Sequence, residues 1–133
     1  MGNAGHEMPI TYSIDKEKGI RFHVCTGTVD CDDIMQSLSE VYRDENYDHA
    51  LHALWDFRDC SGDLSAEAMQ EIIAHARKSR SVPGQGRIAL VVNRDLEYGL
   101  ARMYEMLSEL ELPRQLMVFK DYETALAWIR ASR

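Results

Sequence analysis

The chain has 133 residues, 45% of them apolar and 28% charged, with a formal net charge of −7. That is one domain's worth of chain, long enough for one core, with no apolar run near the length of a membrane span. Its acidity argues against broad nucleic-acid binding, which wants a basic domain.

Met1 to Met8 has neither the basic start nor the apolar centre of a secretory signal, and residues 1–9 are expected to form a flexible tail. The domain is expected to run over residues 10–131. Cys25, Cys31 and Cys60 are an odd count without a paired spacing, which fits a reducing cytoplasm. No metal site is expected: His49 and His52 stand three apart, but no third or fourth ligand joins them. No cofactor motif occurs. Charge is unevenly spread, since residues 1–71 hold 15 acids and 5 bases whereas residues 72–133 hold 7 and 10.

Ile10 to Ile14 reads as a short strand, and Asp15 to Gly19 as a polar turn. Ile20 to about Val29 alternates apolar and polar, as a half-buried strand does. The pair predicts a hairpin whose polar face carries Arg21, His23 and Cys25. A helix beginning at Asp32 or Asp33 follows, with Ile34, Leu38, Val41 and Tyr42 on one stripe. From residue 52 a strand-then-helix beat repeats three times. The strands are His52–Phe57, Arg87–Val92 and Gln115–Phe119; the helices are Ser65–Arg80, about Asp95–Leu110 and Asp121–Ala131. Strands alternating with helices pair in parallel, with the helices packed on the sheet. The predicted order is therefore β-β-α-β-α-β-α-β-α, an α/β fold with a mixed, mostly parallel sheet and helices mainly on one face. Ser65 suits the N-cap of its helix. Met69, Ile72, Ile73 and Ala76 are expected to face the sheet. The helix over 95–110 has the strongest period, with Leu96, Leu100, Met103, Leu107 and Leu110 spaced four and three. Tyr98, Tyr104 and Met106 add apolar surface off that stripe, for an apolar ligand or an interface. The last helix is expected to bury Tyr122, Ala125, Leu126 and Ile129.

In open parallel sheets ligands bind beyond the carboxyl ends of the strands. Here that rim carries three helix starts and three bases, Arg58, Arg94 and Lys120, a set able to hold a phosphate or carboxylate. Asp56, Asp59, Asp63, Asp95 and Asp121 share the rim, and as caps and ion partners they give a purely structural account of it. No arrangement assembles nucleophile, base and oxyanion donor, so no catalytic residue is expected.

Several segments carry a family resemblance. They are the opening hairpin, Leu54-Trp55-Asp56-Phe57-Arg58-Asp59, Asp63-Leu64-Ser65-Ala66-Glu67, Gly99-Leu100-Ala101-Arg102-Met103-Tyr104-Glu105, and Val118-Phe119-Lys120-Asp121 with Ala125-Leu126-Ala127-Trp128. Over about Ile10 to Ile129 the chain resembles SpoIIAA-like, or STAS-like, proteins. The resemblance implies a non-catalytic regulatory module that binds a protein partner. Anti-sigma-factor antagonists of this type are phosphorylated on a serine at the start of the second helix. Aligning strand end and helix start places Ser65 at that position; the letters Asp59-Cys60-Ser61-Gly62 nominate Ser61 instead, with Cys60 where the motif has serine. The subfamily it most resembles is linked by fold to Sec14-type lipid-binding domains. The alternative is thus a binder or carrier of a small anionic or lipidic ligand. A homodimer is consistent with the hairpin's outer face, to which no helix is assigned.

Overall fold

The computed structural model describes residues 9–62, 66–79, 86–93, 98–99, 101–102, 105 and 115–131. The described strands and helices, in chain order, are β1 (Ile10–Asp15), β2 (Ile20–Val29), α1 (Cys31–Tyr42), β3 (His52–Gly62), α2 (Ala66–Ser79), β4 (Ile88–Val91), β5 (Leu116–Phe119) and α3 (Tyr122–Arg130). Tyr98, Gly99, Ala101, Arg102 and Glu105 are helical between β4 and β5, within the helix expected over 95–110. The stripe Leu96, Leu100, Met103, Leu107 and Leu110 lies outside the described residues, as do Met1 to Met8 of the tail expected over residues 1–9.

The five strands lie in the order β1-β2-β3-β4-β5. β1 and β2 pair antiparallel, and β2 to β5 run parallel. Parallel neighbours need a crossover, and each is helical here. The order of elements and the mostly parallel sheet are those expected from the sequence.

Helices cover both faces. One face buries Trp55, Phe57, Leu90, Val92 and Val118 against Ile34 and Leu38 of α1, Ile72 of α2 and Ala101. The other buries Ile20, Leu54, Ala89 and Val91 against Ala125 and Ile129 of α3. Tyr122 and Leu126, expected in that core, are half-buried beside it. The side chains of Met69, Ile73 and Ala76 lie outside those described.

Gly86 precedes β4 where the chain passes the start of β3. A Cβ there would stand 2.2 Å from the Leu51 carbonyl oxygen, so only glycine fits without a backbone shift.

Three expectations are corrected. Arg21, His23 and Cys25 face the core beneath α1, at 2%, 0% and 0% exposed, rather than a polar surface. Burial of the alternate residues instead falls along β2, from Ile20 (buried) through Phe22 (half-buried) to Val24 (exposed). The reason is placement: α1 and α2 pack together on the first face, whereas α3 lies over β3, β4 and β5 and reaches only the start of β2. Second, α1 is capped at Asp30, not Asp32 or Asp33. Asp30 Oδ1 accepts from the Asp33 N–H at 2.9 Å, and Asp33 Oδ2 accepts from the Asp30 N–H at 3.0 Å, a reciprocal capping box. Third, β3 does not end at Phe57 but continues to Gly62. β2 outlasts β4, so Asp59 to Gly62 still have a partner in Thr26 to Val29.

Candidate functional site

The extension of β2 and β3 past β4 makes a ledge at the carboxyl end of the sheet. An open pocket of about 510 Å³ lies on it, lined by Gly27 and Thr28 of β2, Arg58, Asp59, Cys60 and Ser61 of β3, and Asn93 after β4. The ledge exists because the strands slip register: Val24 pairs with Asp56, but Thr26 pairs with Asp59. Cys25 therefore faces both Phe57 and Arg58, a bulge of the kind that re-aims side chains near functional edges. Beyond it Arg58 and Asp59 are both exposed and Cys60 is buried. Gly27, opposite Cys60, has φ +72°, a backbone state that L residues rarely adopt.

Arg58 is held from three sides. Its Nε and Nη2 donate to Asp56 Oδ1 and Oδ2 at 2.9 and 2.8 Å, a two-pronged pair. Its guanidinium lies 4.8 Å from the Tyr122 ring at the start of α3. Its carbonyl accepts from Asn93 Nδ2 at 2.8 Å. Burial alone would raise the Asp56 carboxyl, but the Arg58 bonds outweigh it and hold that carboxyl below its ordinary value. Burial, with Asp56 nearby, pushes the Tyr122 phenol up.

The expected site residues separate in space. Arg58 and Ser61 line the pocket, and Ser61 is exposed at the end of β3. Lys120 is not in the lining; its Nζ lies 5.0 Å from the ring of Tyr98, which is half-buried against the α1–α2 side of the core. The described rim therefore places Arg58 against Asp56 and Tyr122, and Lys120 against Tyr98, rather than converging them on one anion position. Arg94, Ser65, Tyr104 and Met106 lie outside the described residues. Among the described residues no group of three or more His, Cys, Asp or Glu converges as a metal site would require, and no described helix is long and apolar enough to cross a membrane.

Sequence reasoning missed a polar network inside the hairpin. Arg21 Nη1 donates to His23 Nε2 at 3.0 Å, and His23 Nδ1 meets Ser37 Oγ at 3.0 Å. The imidazole stacks on Trp55 with centroids 3.8 Å apart and planes 5° apart. The Arg21 guanidinium lies 5.6 and 6.0 Å from the rings of Tyr42 and Tyr47. One signal was present: Ser37 falls on the buried stripe of α1 with Ile34, Leu38 and Val41, and a hydroxyl at such a position needs a buried partner. For Gly27, Thr28 and Asn93 in the pocket no such signal existed.

No protein-family model and no curated protein sequence matches the chain. Among solved structures, it is similar to an uncharacterized protein of the DUF3478 family with a SpoIIAA-like fold, from Shewanella loihica PV-4. The two share 19% identity over 96% of this chain and 99% of the other, with a TM-score of 0.62. At that identity the likeness is one of fold, and the SpoIIAA-like fold expected from the sequence is the one observed.

Proposed function

We propose that this chain, built on a SpoIIAA-like fold, is a non-catalytic regulatory module of the STAS type that binds a protein partner in the cytoplasm. The observation that carries this reading is the character of the carboxyl rim. Thr26, Thr28, Arg58, Asp59, Ser61 and Asn93 are all exposed there, on an open and polar ledge. Small-molecule sites are concave and mostly apolar, and enclose most of their ligand. An open polar surface stiffened by the Asn93–Arg58 and Arg58–Asp56 bonds suits a protein contact. Phosphate on Ser61 would add charge in the middle of that surface. The hairpin's outer face, where Val24 is 43% exposed, supports self-association as a homodimer.

A second reading rests on the pocket's size, which is within the range of roughly 300–1,000 Å³ common for ligand sites; a small anionic ligand would lie beside Arg58 and Asn93. The apolar, lipidic version of this reading retains only Tyr98 among the described residues.

Affinity capture with the intact chain, comparing the wild type with Thr28→Arg and Ser61→Asp, separates the two. Both substitutions alter exposed rim residues and leave the core untouched. A protein retained by the wild type and lost by both variants, with unchanged circular dichroism, supports the partner reading. Identical capture by all three sinks it. An extra mass in the native mass spectrum that leaves on denaturation moves the assignment to the ligand carrier.

A further inference from the structure

We propose that Cys60 and Cys25 form a reversible intramolecular disulfide, with Cys60 as the peroxide-reactive thiol at the pocket wall and Cys25 as the thiol that resolves it.

The geometry comes from the bulge. Cys25 lies on β2 just before the register slip, and Cys60 lies on β3 just after it, opposite Gly27. The two cysteines are diagonal neighbours on adjacent strands, on the same face of the sheet, and both belong to the core beneath α1. Gly27 between them brings no side chain. Cys60 is the group that acts most strongly on the Cys25 thiol, and Cys60 Sγ donates to the Phe57 carbonyl at 3.6 Å. Closing the pair to an S–S bond of roughly 2.05 Å asks for movement of β2 against β3. A bulge, where the ladder is already interrupted, is the part of a sheet best able to give it.

Access separates the roles. Cys60 is 7% exposed and lines the pocket; Cys25 is fully buried behind it. A small oxidant entering from the rim meets Cys60 first. Cys31, the first residue of α1, packs half-buried against the same core and is absent from the pocket lining. Cys60 and then burial push the Cys25 thiol up.

The oxidant is hydrogen peroxide. The Cys60 sulfur attacks one peroxide oxygen and the O–O bond breaks; the departing hydroxide takes the thiol proton, leaving Cys60 sulfenic acid and one water. The Cys25 sulfur then attacks the Cys60 sulfur, the S–O bond breaks, and the departing hydroxide takes the Cys25 proton as a second water. Two thiols are oxidised by two electrons, and one peroxide is reduced to two waters. A dithiol reductant restores both thiols by exchange. The bond would clamp β2 to β3 under the pocket, so the rim would present a different surface in oxidised and reduced protein. The chemistry stands whether or not the rim binds a protein.

The test is to treat the intact chain with hydrogen peroxide, denature it, alkylate it and measure the mass. The expected product has lost two hydrogens, alkylates at Cys31 alone, yields a Cys25–Cys60 linked peptide and returns to three alkylated cysteines after dithiothreitol. Cys31→Ser, which leaves the core pair intact, is expected to give the same link. Cys25→Ser is expected to accumulate a sulfenic acid at Cys60 that dimedone traps. Three alkylated cysteines after peroxide, oxygen added without a link, or a link through Cys31 would each overturn the proposal.

Discussion

His23 accepts from Arg21, a side chain that can only donate, so its Nε2 is unprotonated and its proton sits on Nδ1, facing Ser37. Protonating the ring would break the Arg21 bond and set two cations together in the core. Burial, and then Arg21, accordingly hold His23 well below its ordinary value. The sign follows from linkage: between the lowered folded value and about 6.5, the unfolded chain binds a proton that the folded chain does not. This contribution to stability is therefore complete above about pH 6.5 and falls with acidification, by at most about 1.4 kcal/mol per pH unit. Urea midpoints measured from pH 7.5 to 5 should fall for the wild type, and His23→Phe should flatten that slope. Asp56 acts lower on the scale: its carboxyl is held below its ordinary value, so its contribution is present above about pH 3.9 and lost below it. Asp56→Asn removes the charge and one of the two acceptor oxygens of a pair whose arginine is 41% exposed. Solvent screening limits the loss to about 1 kcal/mol, readable as a shift in the urea midpoint at pH 7.

Helix ends and strand approaches set the next scale. The Asp30–Asp33 box satisfies two backbone N–H groups at the start of α1, and Asp30→Ala should cost roughly 1 kcal/mol in thermal or urea unfolding. α3 starts in a similar way: Asp121 Oδ2 accepts from the Thr124 N–H and hydroxyl at 2.8 and 2.7 Å. At Gly86 the added methyl of alanine meets backbone rather than a side chain that can turn aside. Gly86→Ala should destabilise by about 1–3 kcal/mol, whereas alanine at an exposed helix position such as Glu123 should change the same urea midpoint little. Element type was legible in the sequence because apolar spacing differs between strand and helix. Element ends were less so, since the Asp30 cap and the extra length of β3 depend on which neighbour satisfies each backbone group.

At the scale of the whole molecule, β3 and β4 are inner strands covered on both faces, while β1 and β5 are edges. Amide exchange should therefore be slowest in Leu54–Asp56 and Ala89–Val91, and faster in β1; equal protection of β1 and β4 would contradict this layering. The carboxyl rim is where both the proposed partner surface and the proposed disulfide lie, and it is the end where a five-stranded sheet gives way to β2 and β3 alone. The rule that ligands lie beyond the carboxyl ends of parallel strands pointed there from the sequence. Arg58, expected at the rim, and Ser61, expected as a switch serine, both line the pocket there, but the slip that makes the pocket was invisible.

By itself the sequence determined the order of elements and the parallel pairing, because these follow from periodicity and from the geometry of crossovers between parallel strands; the SpoIIAA-like fold was carried by the resemblance of its segments. Only the tertiary structure decided which face of β2 is buried. Alternation divides a strand into two faces, but the helix that packs on one of them chooses the inside. The same packing put Arg21 and His23 in the core, and a one-residue slip between β2 and β3 set Cys25 beside Cys60. Neither is a property of any local run of residues; each arises where segments distant in sequence come to share a surface.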